Sequence, residues 1–537
     1  MATYTQGARV GELKTPLGQD KLVLTRLSGT EGVSELFEFR VECVNEKDGR
    51  DDYVDFDPAL GKTATVAIET ISQGKRYFAG TVTEAQRLRE TATDVHYVMV
   101  LRPWLWALSR KINSLIFHEM TAPDIIAKIF GEHGSLADYD NQLKKNYPTL
   151  EYCVQHRESD MNFVCRLMEA HGISYHFKFG DNQQTLVMGD ETSSYADAPG
   201  TTRKFYPIAA QHQRKEEHFF EWMPERRFTT GKTMRNDYDF EKPTANLKGE
   251  KAGDAQYANG QLEDYGHPYH SHVGKDVKQD DGQAYAEAAL NMALAEDKRA
   301  LASGDCLSLA AGMRMRLANH DNDAENQEYL VLRCAHDFFE NAYRSGQGTD
   351  DPYRGSFELL PTAQNFAPPM VTPKPFIAGP QTAKVVGDGE IDTDKYGRIK
   401  VHFHWDRKSE DEPDGRSMWC RVAQVWGRGE MGRHIHPAQG HGSAGPLHRR
   451  RPGPAGHHRL ALQRRQHAAV RAAEEQERRR LDVALDRGRR RRGLQRIRHG
   501  RHPKGRTGPP ARAKGPALGG RERRKAGNRP RPRDQDR

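Results

Sequence analysis

Apolar and polar residues alternate at period two through most of residues 20–110. Turn-forming clusters such as NEKDGRDD and SQGK separate the alternating segments. The segments are KLVLTRLSG, FEFRVECV, TATVAIETI, YFAGTVTEAQRL and HYVMVLRPW. Because a strand that buries one face repeats every two residues, each segment predicts a β-strand. Several short strands at this spacing predict a β-barrel or a β-sandwich.

A helical pattern follows in TAPDIIAKIFGEHG. Thr121 is a candidate N-cap, Pro123 suits the first turn, and Asp124 is favourable beside the positive end of the helix dipole. Gly134 is a candidate stop. One apolar stripe contains Ile125, Ile126, Ile129 and Phe130. The segment therefore predicts a helix that buries one face.

The next unit, EYCVQHRESDMNFVCRLMEAHGISYHFKF, predicts strand, helix, turn and strand. Ser159 is a candidate helix cap and Gly172 a candidate helix end. The apolar helix face comprises Phe163, Val164, Leu167 and Met168. Apolar residues alternate in the second strand at Ile173, Tyr175, Phe177 and Phe179.

From about residue 200 to 340 the chain mixes a polar region with one helix and two strands. DGQAYAEAALNMALAEDKRALASG predicts a helix, and MRMRLANH and QEYLVLRCAHDFF predict strands. A segment rich in Pro and Ala, 361–383, predicts an extended connection. Beyond it, a turn at Asp394–Gly397 joins two strand patterns, and SMWCRVAQVWG supplies a third. Together they predict the beginning of a small antiparallel barrel, an OB-fold.

Charge is distributed very unevenly along the chain. The net charge is +8, but residues 438–537 contain 27 Arg and 3 Lys against 8 acidic residues. They carry +22, which leaves −14 on the rest of the chain. Taken at face value, this basic tail predicts a nucleic-acid-binding arm.

Cysteine usage and hydropathy restrict the compartment. Six cysteines lie far apart without a CxxC pair: Cys43, Cys153, Cys165, Cys306, Cys334 and Cys420. This pattern predicts free thiols in a reducing cytoplasm. No apolar run approaches 18 residues and the start lacks a signal-peptide pattern, so we expect neither a membrane span nor a cleaved leader.

Several long segments resemble the VgrG family, the spike proteins of the type VI secretion system, which are similar to the hub and spike of contractile phage tails. They include RYFAGTVTEAQ, YVMVLRPWLWALSRKINSLIFHEMTAPDIIAKI, VQHRESDMNFVCRLMEAHGISYHF, GEIDTDKYGRIKVHFHWDR and SMWCRVAQVW, and cover most of residues 1–426. The resemblance implies a hub of barrel-like modules, an OB-fold and a β-helix needle. It also implies a homotrimer on an Hcp tube, with a PAAR cap, an effector or effector adaptor, and baseplate components. Such proteins assemble in the cytoplasm and are exported by the apparatus without a signal peptide.

The tail departs from this family. It has no Phe, Tyr, Trp, Met or Cys, and its single isoleucine is Ile497. If the codons for PAQGHGSAGPLHRRRPGPAGHHR start one nucleotide later, suitable synonymous choices read PRKGMEVLVHFIDGDPARPVITG, a sequence of the kind that the family has there. We therefore interpret the tail as translated out of frame, with the slip between Trp426 and Ala438. The alternative is a genuine basic arm.

This interpretation predicts a disordered tail with isolated helical stretches, because so few large apolar side chains cannot offset the entropy of ordering. It also predicts an OB-fold that loses its later strands and has unpaired edges. We expect four parts: a phage-hub-like (late control D-like) domain at 1–360, a linker at 361–383, the first part of the OB-fold at 384–437, and the tail at 438–537. The fold class is mainly β with some α.

Candidate chemistry is sparse. Two histidines and an acid, His402, His404 and Asp406, resemble metal ligands, but a fourth ligand is not evident, so a solvated or trimer-facing strand is favoured. A second group, His267, His270 and His272, lies in a turn and is interpreted as structural. A third, Arg157, Glu158 and Asp160, is interpreted as capping or packing.

No motif for a hydrolase, a P-loop or a dinucleotide site is found in a fitting context. We therefore expect no catalytic, cofactor-binding or metal-binding residues and no enzymatic activity. The main hypothesis is a structural type VI spike protein whose product lacks a working needle. The alternatives are a nucleic-acid-binding protein that uses the basic arm and a cell-wall-degrading hub enzyme. Specific recognition of nucleic acid is not expected, because the tail lacks aromatic residues for base stacking.

Overall fold

The computed structural model describes residues 4–7, 9–47, 53–71, 73–207, 216–255, 257–267, 279–340, 352–377, 379–412, 415–423, 439 and 442–446. The chain divides into two compact units, Met1–Gln463 and Arg464–Arg537, and every described residue lies in the first. The fold is predominantly β with a few helices, which confirms the predicted class.

The elements have the following bounds. The strands are β1 (Gly11–Lys14), β2 (Val23–Gly32), β3 (Glu38–Glu46), β4 (Thr63–Glu69), β5 (Lys75–Glu90), β6 (Asp94–Arg102), β7 (Ile112–Thr121), β8 (Tyr139–Asn141), β9 (Thr149–Ser159), β10 (Ser174–Gly180), β11 (Gln183–Gly189), β12 (Ala196–Phe205), β13 (His218–Arg226), β14 (Lys232–Arg235), β15 (Gly249–Ala252), β16 (Glu263–Gly266), β17 (Lys298–Gly304), β18 (Met313–Ala318), β19 (Glu328–Phe339), β20 (Tyr353–Pro361), β21 (Pro380–Val386), β22 (Lys400–Phe403) and β23 (Gly442–Pro446). The helices are α1 (Trp104–Ala107), α2 (Ala122–Gly131), α3 (Asp160–His171) and α4 (Gln279–Leu294).

Strands β1 to β6 form the first barrel. They pair in the order β1-β4-β5-β6-β3-β2, with every neighbour antiparallel. The side-chain amide of Gln6 bridges the two end strands. Its Nε2 donates to the Leu13 carbonyl (3.0 Å), and its Oε1 accepts from the N–H groups of Leu13 (2.8 Å) and Leu24 (3.1 Å). The five strands predicted before residue 110 are confirmed.

Six further strands form the second barrel, which closes on itself. The order is β19-β18-β12-β13-β17-β20, and β20 pairs again with β19. Strand β19 also pairs antiparallel with β2, from Arg333 opposite Gly32 to Phe339 opposite Arg26. This pairing joins the two barrels into one twelve-stranded sheet. We call the β2–β19 contact the barrel seam.

The helices inserted between β6 and β12 share a core with the first barrel. Their stripes, including Ile125, Phe130 and Phe163, are fully buried in the same cluster as Leu24 and Phe39. Aromatic rings connect the two parts, since Phe37 stacks on Phe39 (4.8 Å between centroids) and meets Phe177 edge-on (5.1 Å). The predicted apolar faces of α2 and α3 are therefore confirmed.

The predicted caps have the expected geometry. Thr121 Oγ1 accepts from the N–H of Asp124, and the Asp124 carboxylate accepts from the N–H of Thr121, which makes a capping box. Ser159 Oγ accepts from the N–H of Asn162 (3.1 Å). Gly172 ends α3 with φ +67°, a conformation that favours glycine. Gly134 lies in a short 3₁₀ turn just beyond the end of α2.

One predicted helix is too long. The pattern from Asp281 to Gly304 predicts continuous helix, but α4 ends at Leu294 and Lys298–Gly304 form β17. Strand β17 pairs on one side with β13 and on the other with β20, so tertiary pairing overrides a local composition rich in alanine. Helix α4 packs against strands β14 and β15. Strands β15, β14 and β16 form a three-stranded sheet, which we call the accessory sheet.

The connection at 361–383 is extended but not free. Strand β20 ends at Pro361 and β21 begins at Pro380. Between them Phe366 is buried, and the Glu169 carboxylate on α3 accepts from both the N–H (3.0 Å) and the hydroxyl (2.5 Å) of Thr372. The segment is therefore fastened to helix α3.

Strands β21, β22 and β23 form the sheet of what we call the OB part, residues 379–446. The turn predicted at Asp394–Gly397 is present, since the N–H of Gly397 donates to the Asp394 carbonyl (3.0 Å). Strand β23 lies in the basic tail, where composition predicts no strand, and it pairs antiparallel along β21. Gln439 is also described, and its N–H donates to the Glu390 carbonyl (2.8 Å). The other tail residues and the proposed slip region, 427–437, lie outside the described residues.

Within the part of the chain that the structure describes, every helix is too short or too polar to cross a bilayer.

Candidate functional site

The barrel seam contains a buried polar cluster. Glu31 on β2, Arg76 on β5 and His336 on β19 each expose 7 % or less of their surface. Arg76 and His336 share their strand faces with Phe78 and Phe338, so period-two alternation directs both inward. The cluster therefore places charged groups where the two barrels meet.

Its hydrogen bonds form one connected network. Arg76 Nη2 donates to Glu31 Oε1 (2.6 Å), and His336 Nε2 lies 3.0 Å from the same oxygen. His336 Nδ1 lies 2.8 Å from the Tyr353 hydroxyl. Because a carboxylate only accepts, the imidazole carries its proton on Nε2 and the tyrosine hydroxyl donates to Nδ1.

The electrostatics favour an ion pair beside a neutral imidazole. Burial disfavours the charged form of Glu31, but the Arg76 guanidinium and the His336 ring together hold the pKa of this carboxyl below its usual value. Burial lowers the pKa of His336, although Glu31 opposes that shift. The cluster is a buried salt bridge, and removing one partner of such a pair is strongly destabilising.

The same cluster is the one group of possible metal ligands among the described residues. Ligand atoms of Glu31, Cys334 and His336 lie within 4.8 Å of one another. Two features disfavour a cation there. The Arg76 guanidinium already occupies the carboxylate, and burial together with Glu31 raises the pKa of Cys334, which keeps the thiol protonated. The geometry fits a structural network better than a metal centre.

Among the described residues, His402, His404 and Asp406 are not brought together as a set of metal ligands. His402 Nδ1 bonds the Gly415 carbonyl (2.6 Å), whereas His404 is exposed in the turn that follows β22. Asp406 is buried, with its N–H bonded to the Phe403 carbonyl (2.9 Å). In the other group, His267 Nδ1 bonds the Asn236 carbonyl (3.0 Å). The remaining members, His270 and His272, lie outside the described residues.

The RESD segment supplies packing contacts at the start of α3. Glu158 forms a bidentate ion pair with Arg166 on α3, with Nη2 at 2.6 Å and Nε at 2.9 Å. Asp160 is fully buried and accepts from Gln155 Nε2 (2.7 Å), and its other oxygen lies 2.9 Å from His133 Nε2.

The cysteines provide no reactive thiol among the described residues. All six are unpaired, and five are buried. Burial raises the pKa of Cys153 and Cys420 to about 11 and that of Cys165 to about 12. Thiols with such pKa values are protonated at neutral pH and therefore weak nucleophiles.

The OB part meets the hub at β9. Tyr152 on β9 packs against the small OB core, whose buried members are Ala383, Val385, Ile399, Val401, Met418 and Cys420. The Trp405 ring meets the His156 ring edge-on (5.2 Å between centroids). Lys408 Nζ donates to the Ile116 carbonyl on β7 (3.1 Å). The OB core is thus completed by a residue of the hub.

Sequence reasoning missed the cluster at the barrel seam. His336 stands at an inward position of a predicted strand, and Arg76 directly precedes the predicted strand that begins at Tyr77. A charged residue in line with a buried face is a usable signal, because it needs a buried partner. The identity of that partner, Glu31, depends on a strand pairing across about 300 residues. Periodicity carries no such information.

Comparison with known proteins identifies the architecture. The phage tail baseplate hub (GPD) family matches residues 30–342. The type VI secretion system spike protein VgrG1c of Pseudomonas aeruginosa is 34 % identical over 428 residues, which are 79 % of this chain and 57 % of that protein. VgrG1a of the same organism is 33 % identical over 425 residues, 78 % of this chain and 64 % of that protein. The chain thus spans less than two thirds of the length of these curated relatives.

Solved structures show the same fold. The E. coli c3393 protein, a type VI secretion component with structural similarity to T4 tail proteins gp27 and gp5, matches with a TM-score of 0.58 at 18 % identity. The match covers 84 % of this chain and 99 % of that one. The Francisella PdpA–VgrG complex in its half-lidded form matches with a TM-score of 0.55 at 7 % identity, over 84 % of this chain and 76 % of that one.

Proposed function

Because this chain belongs to the phage tail baseplate hub family and is homologous to type VI secretion spike proteins, we propose that it is the hub of a type VI spike. Its role is structural rather than enzymatic. The hub sits at the tip of the secretion tube and carries the OB part, which is the base of the spike.

The pair of six-stranded barrels is the observation that carries this proposal. Each chain contains two barrels joined at the barrel seam. Three chains around an axis bring six barrels into one ring, so a homotrimer can match the symmetry of a six-fold tube. A hub with this geometry adapts the tube below it to the three-fold spike above it.

The partners follow from this position. We propose an Hcp tube below the ring, baseplate components around it during assembly, and a PAAR cap with an effector or effector adaptor on the spike. Assembly takes place in the cytoplasm, and the apparatus itself exports the hub. The homology to VgrG1c and VgrG1a supports this assignment.

Oligomeric state tests the proposal. Size-exclusion chromatography with light scattering on the full chain is expected to show a trimer of a 60.8 kDa protomer. Co-purification with the tube protein tests the contact below. A chain that stays monomeric across the micromolar range and does not bind the tube protein would contradict the hub assignment.

The tail needs a separate proposal. We propose that residues 438–537 are read in a displaced frame and therefore do not form a needle, so this product does not puncture membranes. Sequencing the coding DNA between the codons of Trp426 and Ala438 tests the frame directly. A secretion assay in which this chain alone restores killing by a spike-deficient strain would contradict the loss of function.

The non-enzymatic role is tested by turnover. The purified chain is expected to release no soluble fragments from peptidoglycan beyond the buffer control. Sustained release that scales with protein concentration would favour the cell-wall-degrading alternative.

A further inference from the structure

The accessory sheet touches the OB part through one aromatic ring. Phe240, in the loop that follows β14, lies within cation–π distance of two guanidinium groups of the OB part. The Cζ atom of Arg398 is 5.0 Å from the ring centroid and that of Arg421 is 5.1 Å away. The Tyr396 ring approaches Phe240 edge-on at 5.2 Å. Two cations held near one aromatic ring make a specific contact between the two parts.

An ionic contact reinforces this aromatic one. Arg398 is 6 % exposed, and its Nε donates to Asp394 Oδ2 (2.6 Å) within the OB part. Its Nη2 lies 3.4 Å from Oε1 of Glu241, the neighbour of Phe240. A single arginine thus connects the turn before β22 to the accessory sheet.

The accessory sheet is itself anchored to the hub. Thr233 on β14 donates its hydroxyl to the Ala286 carbonyl of α4 (2.6 Å). Helix α4 in turn lies against the end of α3, where a Cβ added at Gly172 would be 3.3 Å from Ala288. The contacts form a continuous path from α3 through α4 and the accessory sheet to Phe240.

The second attachment of the OB part is the β9 contact described above, through Tyr152, His156 and Trp405. It lies on a different element of the hub and has a different chemistry. The Lys408 bond to β7 belongs to the same patch, because β7 and β9 pair with each other. A single patch leaves the OB part able to rotate about it, whereas a second contact on a separate element restricts that rotation.

We propose that the accessory sheet is a strut that fixes the orientation of the OB part on the hub, with Phe240 and Arg398 as its contact point. The buried apolar cluster of the OB part comprises six of the described residues, so the orientation of this small part depends on what it touches. Without the strut it pivots about β9. The use of this stiffness in transmitting force rests on the proposed spike function, but the joint is a property of the isolated chain.

Pulsed electron–electron double resonance between two spin labels tests whether the strut fixes the orientation of the OB part. Spin labels at Gln86→Cys on the first barrel and Thr382→Cys on β21 report the distance between hub and OB part, and both positions are exposed. The chain without these two substitutions, treated with the same label, measures the background from native cysteines. The doubly labelled chain, the parent of the variants below, is expected to give one narrow distance distribution. Adding Phe240→Ala is expected to broaden that distribution at least two-fold.

A matched control separates the strut from general loss of an aromatic residue. Phe228→Ala removes an exposed ring of the same region, which packs against Tyr257 (5.4 Å between centroids). This variant is expected to leave the distance distribution unchanged. Arg421→Gln removes one of the two guanidinium groups near Phe240 and is expected to broaden the distribution to an intermediate width.

Amide exchange separates pivoting from unfolding. In Phe240→Ala, amides of β21 and β22 are expected to remain protected within about two-fold of the parent, as a joint requires.

A distance distribution in Phe240→Ala as narrow as that of the parent would overturn the strut. If Phe240→Ala unfolds the OB part, Arg421→Gln decides, since an unchanged distribution with protected strands overturns the proposal. None of these outcomes depends on a tube, a cap or secretion, so the spike function can fail while the strut stands.

Discussion

Gln6 shows how one side chain substitutes for a missing strand pairing. Its amide satisfies three backbone groups of Leu13 and Leu24, which lie on the two end strands of the first barrel. A buried backbone group without a partner costs about 1–3 kcal/mol. Closure of the first barrel therefore depends on a residue outside its strands.

Gln6→Ala is expected to lower the free energy of local opening of β1 by about 2 kcal/mol. The measurement is amide exchange of residues 11–14 by mass spectrometry. Thr5→Ala, at the exposed neighbouring position, is the control and should leave exchange unchanged. Equal protection in Gln6→Ala and Thr5→Ala would show that β1 is held without the amide.

The Glu31–Arg76 ion pair is expected to contribute to the stability of the hub. Arg76→Met is expected to destabilise the hub by about 3–5 kcal/mol, because it leaves the Glu31 carboxylate buried beside only a neutral imidazole. Urea denaturation followed by tryptophan fluorescence gives the free energy.

The double variant Glu31→Gln and Arg76→Met is the control for charge. It removes both charges and should recover part of the loss relative to Arg76→Met alone. A double variant that is less stable than the sum of the two single effects would contradict the ion-pair explanation.

At the level of single elements, helix α3 links the core of the first barrel to the connection at 361–383. Ser159 caps its start, its apolar face enters the core of the first barrel, and Glu169 holds the connection at Thr372. Gly172 then reverses the chain into β10. A weaker helix start is therefore expected to affect both the core and the connection.

Ser159→Ala is expected to destabilise the hub by about 1 kcal/mol, because the N–H of Asn162 loses its acceptor. Thermal or urea unfolding measures the change. Ser159→Asp, which retains a capping oxygen and adds a favourable charge at the helix start, should restore most of the stability. Loss of the same size in both variants would point to packing rather than capping.

At the boundary between α4 and β17, local helix propensity does not determine the secondary structure. Residues 298–304 have a composition compatible with helix, yet β17 lies between β13 and β20 and closes the second barrel. Helix propensity differs by tenths of a kcal/mol per residue, and two ladders of hydrogen bonds with a buried face outweigh it.

At the scale of the whole molecule, buried histidines make stability depend on pH. His176 is 3 % exposed, and its Nδ1 has no hydrogen-bond partner among the described residues. Burial, with Lys178, lowers its pKa to about 4. Its ordinary pKa is about 6.5. Since the unfolded chain binds the proton first, the stability contributed is complete above pH 6.5 and is lost as pH falls towards 4.

Between pH 7.5 and 5.5 this histidine alone is expected to lower the free energy of unfolding by about 1 kcal/mol. Urea denaturation at both pH values measures it. His176→Phe retains a ring against Gly312 and should reduce the pH dependence by that amount. An unchanged pH dependence in this variant would assign the effect to other groups.

The basic tail makes a prediction that depends on composition alone. If it binds DNA, it does so through phosphate contacts, and affinity should fall by about a thousand-fold between 50 and 200 mM salt. Filter binding with two unrelated duplexes measures this, and a chain that ends at residue 437 is the control. Sequence-specific binding that survives 200 mM salt would favour the nucleic-acid-binding alternative over a tail read out of frame.

Local structure in this protein can be derived from the order of its residues. Period-two alternation specified the faces of the early strands, and Thr121, Ser159 and Gly172 specified where helices begin and end. These features depend on residues a few positions apart, where backbone geometry alone relates the side chains. The long resemblance segments led to the same family that the comparisons identify.

The way these elements combine cannot be derived from local patterns and depends on long-range contacts. The pairing of β2 with β19, the partner of Arg76 and the contact of Phe240 with Arg398 each join residues more than forty positions apart. A strand pattern specifies which face is buried but leaves the neighbouring strand open. The choice of neighbour is a property of the complete sheet, in which every buried polar group must find its partner at once.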